Sequence, residues 1–184
     1  MNESDIIRGQ LATERIHAAQ VANACVSLFG SERELAQPPP SAFREASVNY
    51  LVWVLSRFEQ RDQFLAEHIA RQRATHQPLH SALAALEAQE GTSRQSLARL
   101  EAALAAPSPE AARAAWLAFG RFFNSLWCER RLAIEQHLSA LPGMASWRAI
   151  SALDADSILQ ERARYAQVAA HLPAGITLVG ATSP

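Results

Sequence analysis

Residues 41–73 read SAFREASVNYLVWVLSRFEQRDQFLAEHIARQR. Leu51, Val54, Leu55, Phe58, Leu65 and Ile69 recur on one helical face, with none of the two-residue alternation of a strand. Asp62 falls on the same face, between Phe58 and Leu65. Helix breakers stand on both sides. Pro38, Pro39 and Pro40 precede the run, and Gln77 before Pro78 follows it. Proline lacks the backbone donor of a helix interior and pushes the residue before it toward extended angles. The stretch therefore predicts one long helix from Ser41 to about Arg73.

The same pattern extends in both directions. Toward the N-terminus, Ile7, Leu11, Ile16, Val21, Cys25 and Leu28 predict a first helix over Ile6 to Phe29. Ser4 or Asp5 would cap it and Gly30 would close it, with Glu14 and Arg15 facing water. Beyond Pro78, Leu83, Leu86, Leu97, Leu100 and Leu104 predict a third helix from Leu79 to Ala105, weakened by Gly91 and Thr92. Ser108, Pro109 and Glu110 supply a cap, a first-turn proline and a first-turn acid. They predict the start of a fourth helix that reaches Leu141 and stops at Pro142 and Gly143. A short fifth helix should cover about 154–171, followed by an apolar tail over 173–184. Long helices joined by short turns pack side by side. The expectation is an all-α single domain over 1–184: an antiparallel up-down four-helix bundle at about 6–141, with a short additional C-terminal helix.

Composition narrows the functional classes. Apolar residues make up 49% of the 184 and charged residues 19%, a globular balance. Net charge is −1, so no overall field draws the chain to nucleic acid or an anionic membrane. The opening MNESDIIRGQ lacks the basic start and apolar run of a secretion signal. No apolar run approaches the roughly 20 residues that span a bilayer. Cys25 and Cys128 stand far apart without a CxxC partner, which predicts small buried thiols and no zinc motif. A cytoplasmic protein follows, with no nucleic-acid and no membrane partner expected.

Helical bundles hold metals by projecting His, Glu and Asp inward from facing helices. His17, Glu59, Asp62, Glu90 and Glu129 supply one or two such groups per helix and are the candidate metal ligands. Against this stands an ion-pair reading. Arg61, Asp62, Arg130 and Arg131 are placed to form an interior network, since a buried carboxylate is tolerated when paired. Trp116, Phe119, Phe122, Phe123 and Trp127 exceed one core face of their helix. Trp116, Phe119, Phe123 and Trp127 are therefore a candidate interface for a protein partner or a homodimer. No glycine-rich phosphate loop and no nucleophile with an adjacent base is recognisable.

Four segments together resemble the hemerythrin-like, or HHE cation-binding, four-helix family. They are TERIHAAQVANACVSLF, NYLVWVLSRFEQRDQFLAEHIARQ, ALEAQEGTSRQSLARLEAALA and FGRFFNSLWCERRLAIEQHLSALPG, and they span about Glu14 to Leu141. The resemblance implies the bundle fold and places His17 at a ligand His, with Gln89 or Glu90 near another. It also implies a His and a Glu four residues apart on the second and fourth helices. Here Arg61 and Leu65, or Asp62 and Ala66, take the second-helix places. Arg130 and Ile134, or Arg131 and Glu135, take the fourth-helix places. An arginine at a ligand position puts a cation where the metal would sit. The expectation is a bundle with a degenerate metal site and no cofactor, acting as a non-catalytic binding or regulatory module. The alternatives are a non-haem iron protein and a small-molecule binder or enzyme with a pocket between helices.

Overall fold

The computed structural model describes residues 3–30, 40–71, 81, 84–85, 94–102, 104–105, 108–129, 131–132 and 155–178. All regular structure among them is helical. Helix α1 spans Glu3–Phe29 and α2 spans Ser41–Arg71. Helix α3 covers 94–102. Helix α4 spans Pro109–Phe122 and passes into a π-helical segment, Phe123–Cys128. Helix α5 spans Ala155–Ala170.

The α2 repeat has a strict physical outcome. Phe43, Ser47, Tyr50, Leu51, Val54, Leu55, Phe58, Arg61 and Asp62 are all buried, three or four positions apart along one stripe. Each large apolar side chain buried this way stabilises the fold by roughly 1.5–3 kcal/mol. On α1 the buried stripe is Leu11, Glu14, Ala18, Val21, Ala22, Cys25 and Leu28. Glu14 thus lies inside, contrary to its expected place in water. Ile16, counted among the apolar face, is 46% exposed, because it sits out of phase with Leu11 and Ala18. Helix α1 also starts at Glu3, so Ser4 and Asp5 lie within its first turns instead of capping it.

Paired contacts give the chain directions. Phe29 packs on Phe43 and Glu14 meets Arg61, so α1 and α2 run in opposite directions. Phe29 also stacks on Trp116 while Asn23 bonds Asn124, so α4 opposes α1 as well. Val26 of α1 occupies the place a Cβ would take on Gly120, and only glycine lets these two helices come so close. Helix α5 runs along α1 in the same direction, with His17 at Glu161 and Gln20 at Tyr165.

The α4 start follows its sequence. Ser108 Oγ accepts from the Ala111 amide at 3.3 Å, and Pro109 and Glu110 occupy the first turn. Its continuation differs from the single α-helix expected to Leu141. After Phe122 the turn widens, and Phe123 stacks on Trp127 with ring centroids 4.6 Å apart. Residues 133–141 of that expected helix lie outside the described residues. The wide turn changes what the aromatic residues do. Trp116, Phe119, Phe123 and Trp127 are at most 4% exposed, so they are core side chains and not the exposed patch expected. They continue an internal column in which Trp116 meets Phe119 edge-on, Phe119 meets Phe123, and Trp127 meets Phe58 edge-on. The excess over one helical face is absorbed by packing against α1 and α2 together. Of the tail, Leu178 is buried against this core.

Candidate functional site

A polar seam crosses the apolar interior. On α1 it consists of Gln10, Glu14, His17 and Gln20, three or four positions apart. Tyr50, Arg57 and Arg61 face it from α2, and Glu161 and Tyr165 from α5. Glu14 is fully buried and accepts from Arg61 Nη2 at 2.7 Å and from Gln10 Nε2 at 3.4 Å. Arg57 Nε stands 3.7 Å from the same Glu14 oxygen that Arg61 holds. Burial lowers the Arg61 guanidinium from 12.5 to about 10; Glu14 resists the shift and the like charge of Arg57 adds to it.

A second pair lies one residue along α2. Arg131 Nη1 donates to Asp62 Oδ1 at 2.8 Å, and its Nη2 donates to the other carboxylate oxygen. Both side chains are more than nine-tenths buried. Burial pushes the Asp62 carboxyl up, and the Arg131 fork pulls it back toward the ionised form. The Arg131 guanidinium lies 4.5 Å from the Phe58 ring centre and the Arg61 guanidinium 4.9 Å from it. Phe58 thereby packs against both arginines.

The third group joins α1, α2 and α5. Glu161 is fully buried, and its Oε1 accepts from the Tyr50 hydroxyl at 2.9 Å and meets His17 Nδ1 at 2.9 Å. The His17 ring stacks on Tyr165, 3.8 Å away and within 6° of parallel. The Tyr165 hydroxyl donates to Gln20 Oε1. Burial raises both phenols, with the Glu161 charge adding to the effect: Tyr165 reaches about 12 and Tyr50 goes higher.

The proposed metal ligands are not brought together. His17 is held by Glu161, Asp62 by Arg131, and Glu59 lies 3.5 Å from the exposed Arg94. Glu129 is exposed, while Glu90 and Arg130 lie outside the described residues. No group of three or more His, Cys, Asp or Glu side chains converges among the described residues. These side chains therefore do not fit the iron centre that the family resemblance implies, since a guanidinium fork occupies both oxygens of Asp62.

Glu14, Arg57, Tyr50, Glu161 and Tyr165 escaped the sequence reading. The signal was spacing. Ile158, Glu161, Tyr165 and Val168 follow the three-four rhythm of a buried stripe, as Leu11, Glu14 and Ala18 do.

Cavities open between the helices. One of about 250 Å³ is lined by Trp53, Ser56, Arg57, Gln60 and Gln160. A larger one, about 450 Å³, lies where the end of α1 meets the starts of α2 and α4, with Arg44, Arg113 and Trp116 in its wall. No family model matches this chain, and no curated protein or solved structure does either.

Proposed function

We propose that the chain is a hemerythrin-like antiparallel four-helix bundle with α5 added, whose metal centre is replaced by ion pairs, and that it works as a non-catalytic binding or regulatory module. The pairwise helix directions support the bundle. The polar seam supports the replacement: Asp62, Glu14 and Glu161 are each engaged by a cationic or hydroxyl side chain of a neighbouring helix. Asp62 in the fork of Arg131 carries this reading, because both of its oxygens are committed. The chemistry left to these committed side chains is recognition. No described helix is long and apolar enough to cross a membrane, and neither Cys25 nor Cys128 is in a disulfide, as suits a reducing cytoplasm.

Elemental mass spectrometry of the untagged protein, with an absorption spectrum of the same sample, tests this. The expected result is no stoichiometric iron, even after anaerobic loading with ferrous iron. About two irons per chain with oxo-bridge bands would overturn it.

A further inference from the structure

We propose that the cavity formed by Trp53, Ser56, Arg57, Gln60 and Gln160 binds a small oxyanion, a carboxylate or phosphate group on a small molecule. This names a ligand class for the binding reading above and rests on it only in treating the chain as a binder. The lining holds a guanidinium, two amides, a hydroxyl and an indole, and no carboxylate. Arg57 and Arg164 both pack on the Trp53 ring, at 5.4 Å and 5.3 Å from its centre. The indole thus fixes two cations beside one small opening.

Arg57 has hydrogen-bonding capacity that the seam does not fill. Arg57 and Arg61 share one carboxylate, Glu14, and the same oxygen serves both. Arg61 holds that oxygen at 2.7 Å and leaves Arg57 at 3.7 Å, beyond hydrogen-bond length. Among the described residues, Nε and Nη2 of Arg57 and Nε and Nη1 of Arg61 have no acceptor. Asp62 is committed to Arg131, and Glu161, which meets His17 and Tyr50 through Oε1, gives neither arginine a hydrogen bond. The Arg57 guanidinium is thus short of acceptors beside a cavity whose remaining polar groups can donate. A buried cation is costly unless an anion lies near it, and a guanidinium fork matches carboxylate and phosphate geometry. The volume of about 250 Å³ limits the ligand to a small molecule.

Isothermal titration of the full chain with inorganic phosphate, and separately with malonate, tests the site in chloride buffer of matched ionic strength. Saturable one-site binding of at least one probe is expected. Arg57→Gln should weaken it about tenfold or more, the loss of one charge-assisted bond. Gln160→Leu, which leaves Glu14 and Arg61 untouched, should also weaken it and carries the test if Arg57→Gln does not fold. Tighter phosphate binding assigns the site to phosphorylated molecules; tighter malonate binding assigns it to carboxylic acids. Absence of saturable heat with both probes, or binding unchanged in the folded variants, overturns the proposal. Iron in the protein together with Arg57-dependent anion binding would remove the metal-free reading and leave this site standing.

Discussion

Arg131 grips both oxygens of Asp62, a residue 69 positions away in the chain, and the two are more than nine-tenths buried. A buried pair of this kind is weak evidence of net stabilisation, yet breaking it from one side is costly. Asp62→Ala should lower stability by about 3–5 kcal/mol in chemical denaturation, because it leaves a guanidinium in the core without its anion. Asp62→Ala combined with Arg131→Met should recover most of that loss. A double variant as unstable as the single one would show that the packing of Arg131 on Phe58 and Trp127 matters more than its charge.

Glu161 depends on the Tyr50 hydroxyl for one of its bonds, and its Oε2 has no hydrogen-bond partner among the described residues. Tyr50→Phe should therefore cost about 1–3 kcal/mol, the penalty of leaving a buried charged acceptor short of a donor. Tyr165→Phe should cost less, since its partner Gln20 is only partly buried and can turn to water. Urea midpoints of the two variants measured side by side decide the order.

Alkaline pH should weaken the fold. Burial raises the Cys25 thiol from 9.0 to about 12, against a small opposing effect of its Ser47 hydrogen bond. Tyr165 is raised from 10.0 to about 12, and Tyr50 is raised further. Above pH 9 the unfolded chain sheds protons that the folded chain keeps, so stability present below pH 9 is lost as pH climbs toward 12. Arg61, lowered to about 10, acts in the opposite direction between 10 and 12.5, but it is one group against three. Between pH 9 and 10 the thiol alone should contribute a loss of about 1 kcal/mol per pH unit. Cys25→Ala should flatten that interval; an unchanged slope would place the titrating group elsewhere.

Gly120→Ala tests the closest approach of α1 and α4. Alanine is favoured over glycine in a helix by about 0.5–1 kcal/mol, but the new methyl would overlap the Val26 side chain. The net effect should be a loss of about 1–3 kcal/mol. Val26→Ala in the same chain should restore stability, and thermal melts of the three variants measure this directly.

Helix content was legible in the sequence because burial imposes a rhythm on apolar residues, and α2 keeps it from Phe43 to Asp62. The α4 start was legible because Ser108, Pro109 and Glu110 act locally. Asp62 could be placed inside, since its apolar neighbours on the stripe are large. Glu14 could not, because it was weighed by its charge while the small Ala18 and Ala22 concealed the stripe it belongs to. Glu161 needed knowledge of which helix lies against α1, and no local pattern carries that. The π turn at Phe123–Cys128 was hidden for a related reason: it answers to the Phe58 ring on α2 and to its contact with α1, not to its own residues' preferences.

The seam also governs alignment. Apolar contacts are non-directional and tolerate volume-conserving rearrangement, so by themselves they leave the helix setting open to small shifts. Charged partners do not. Moving α2 by a single turn, about 5.4 Å, would part Arg61 from Glu14, Arg131 from Asp62 and Tyr50 from Glu161 at once. The three contacts work as a key cut at several depths, admitting one vertical setting of the helices and rejecting its neighbours even where the oily surfaces would accept them.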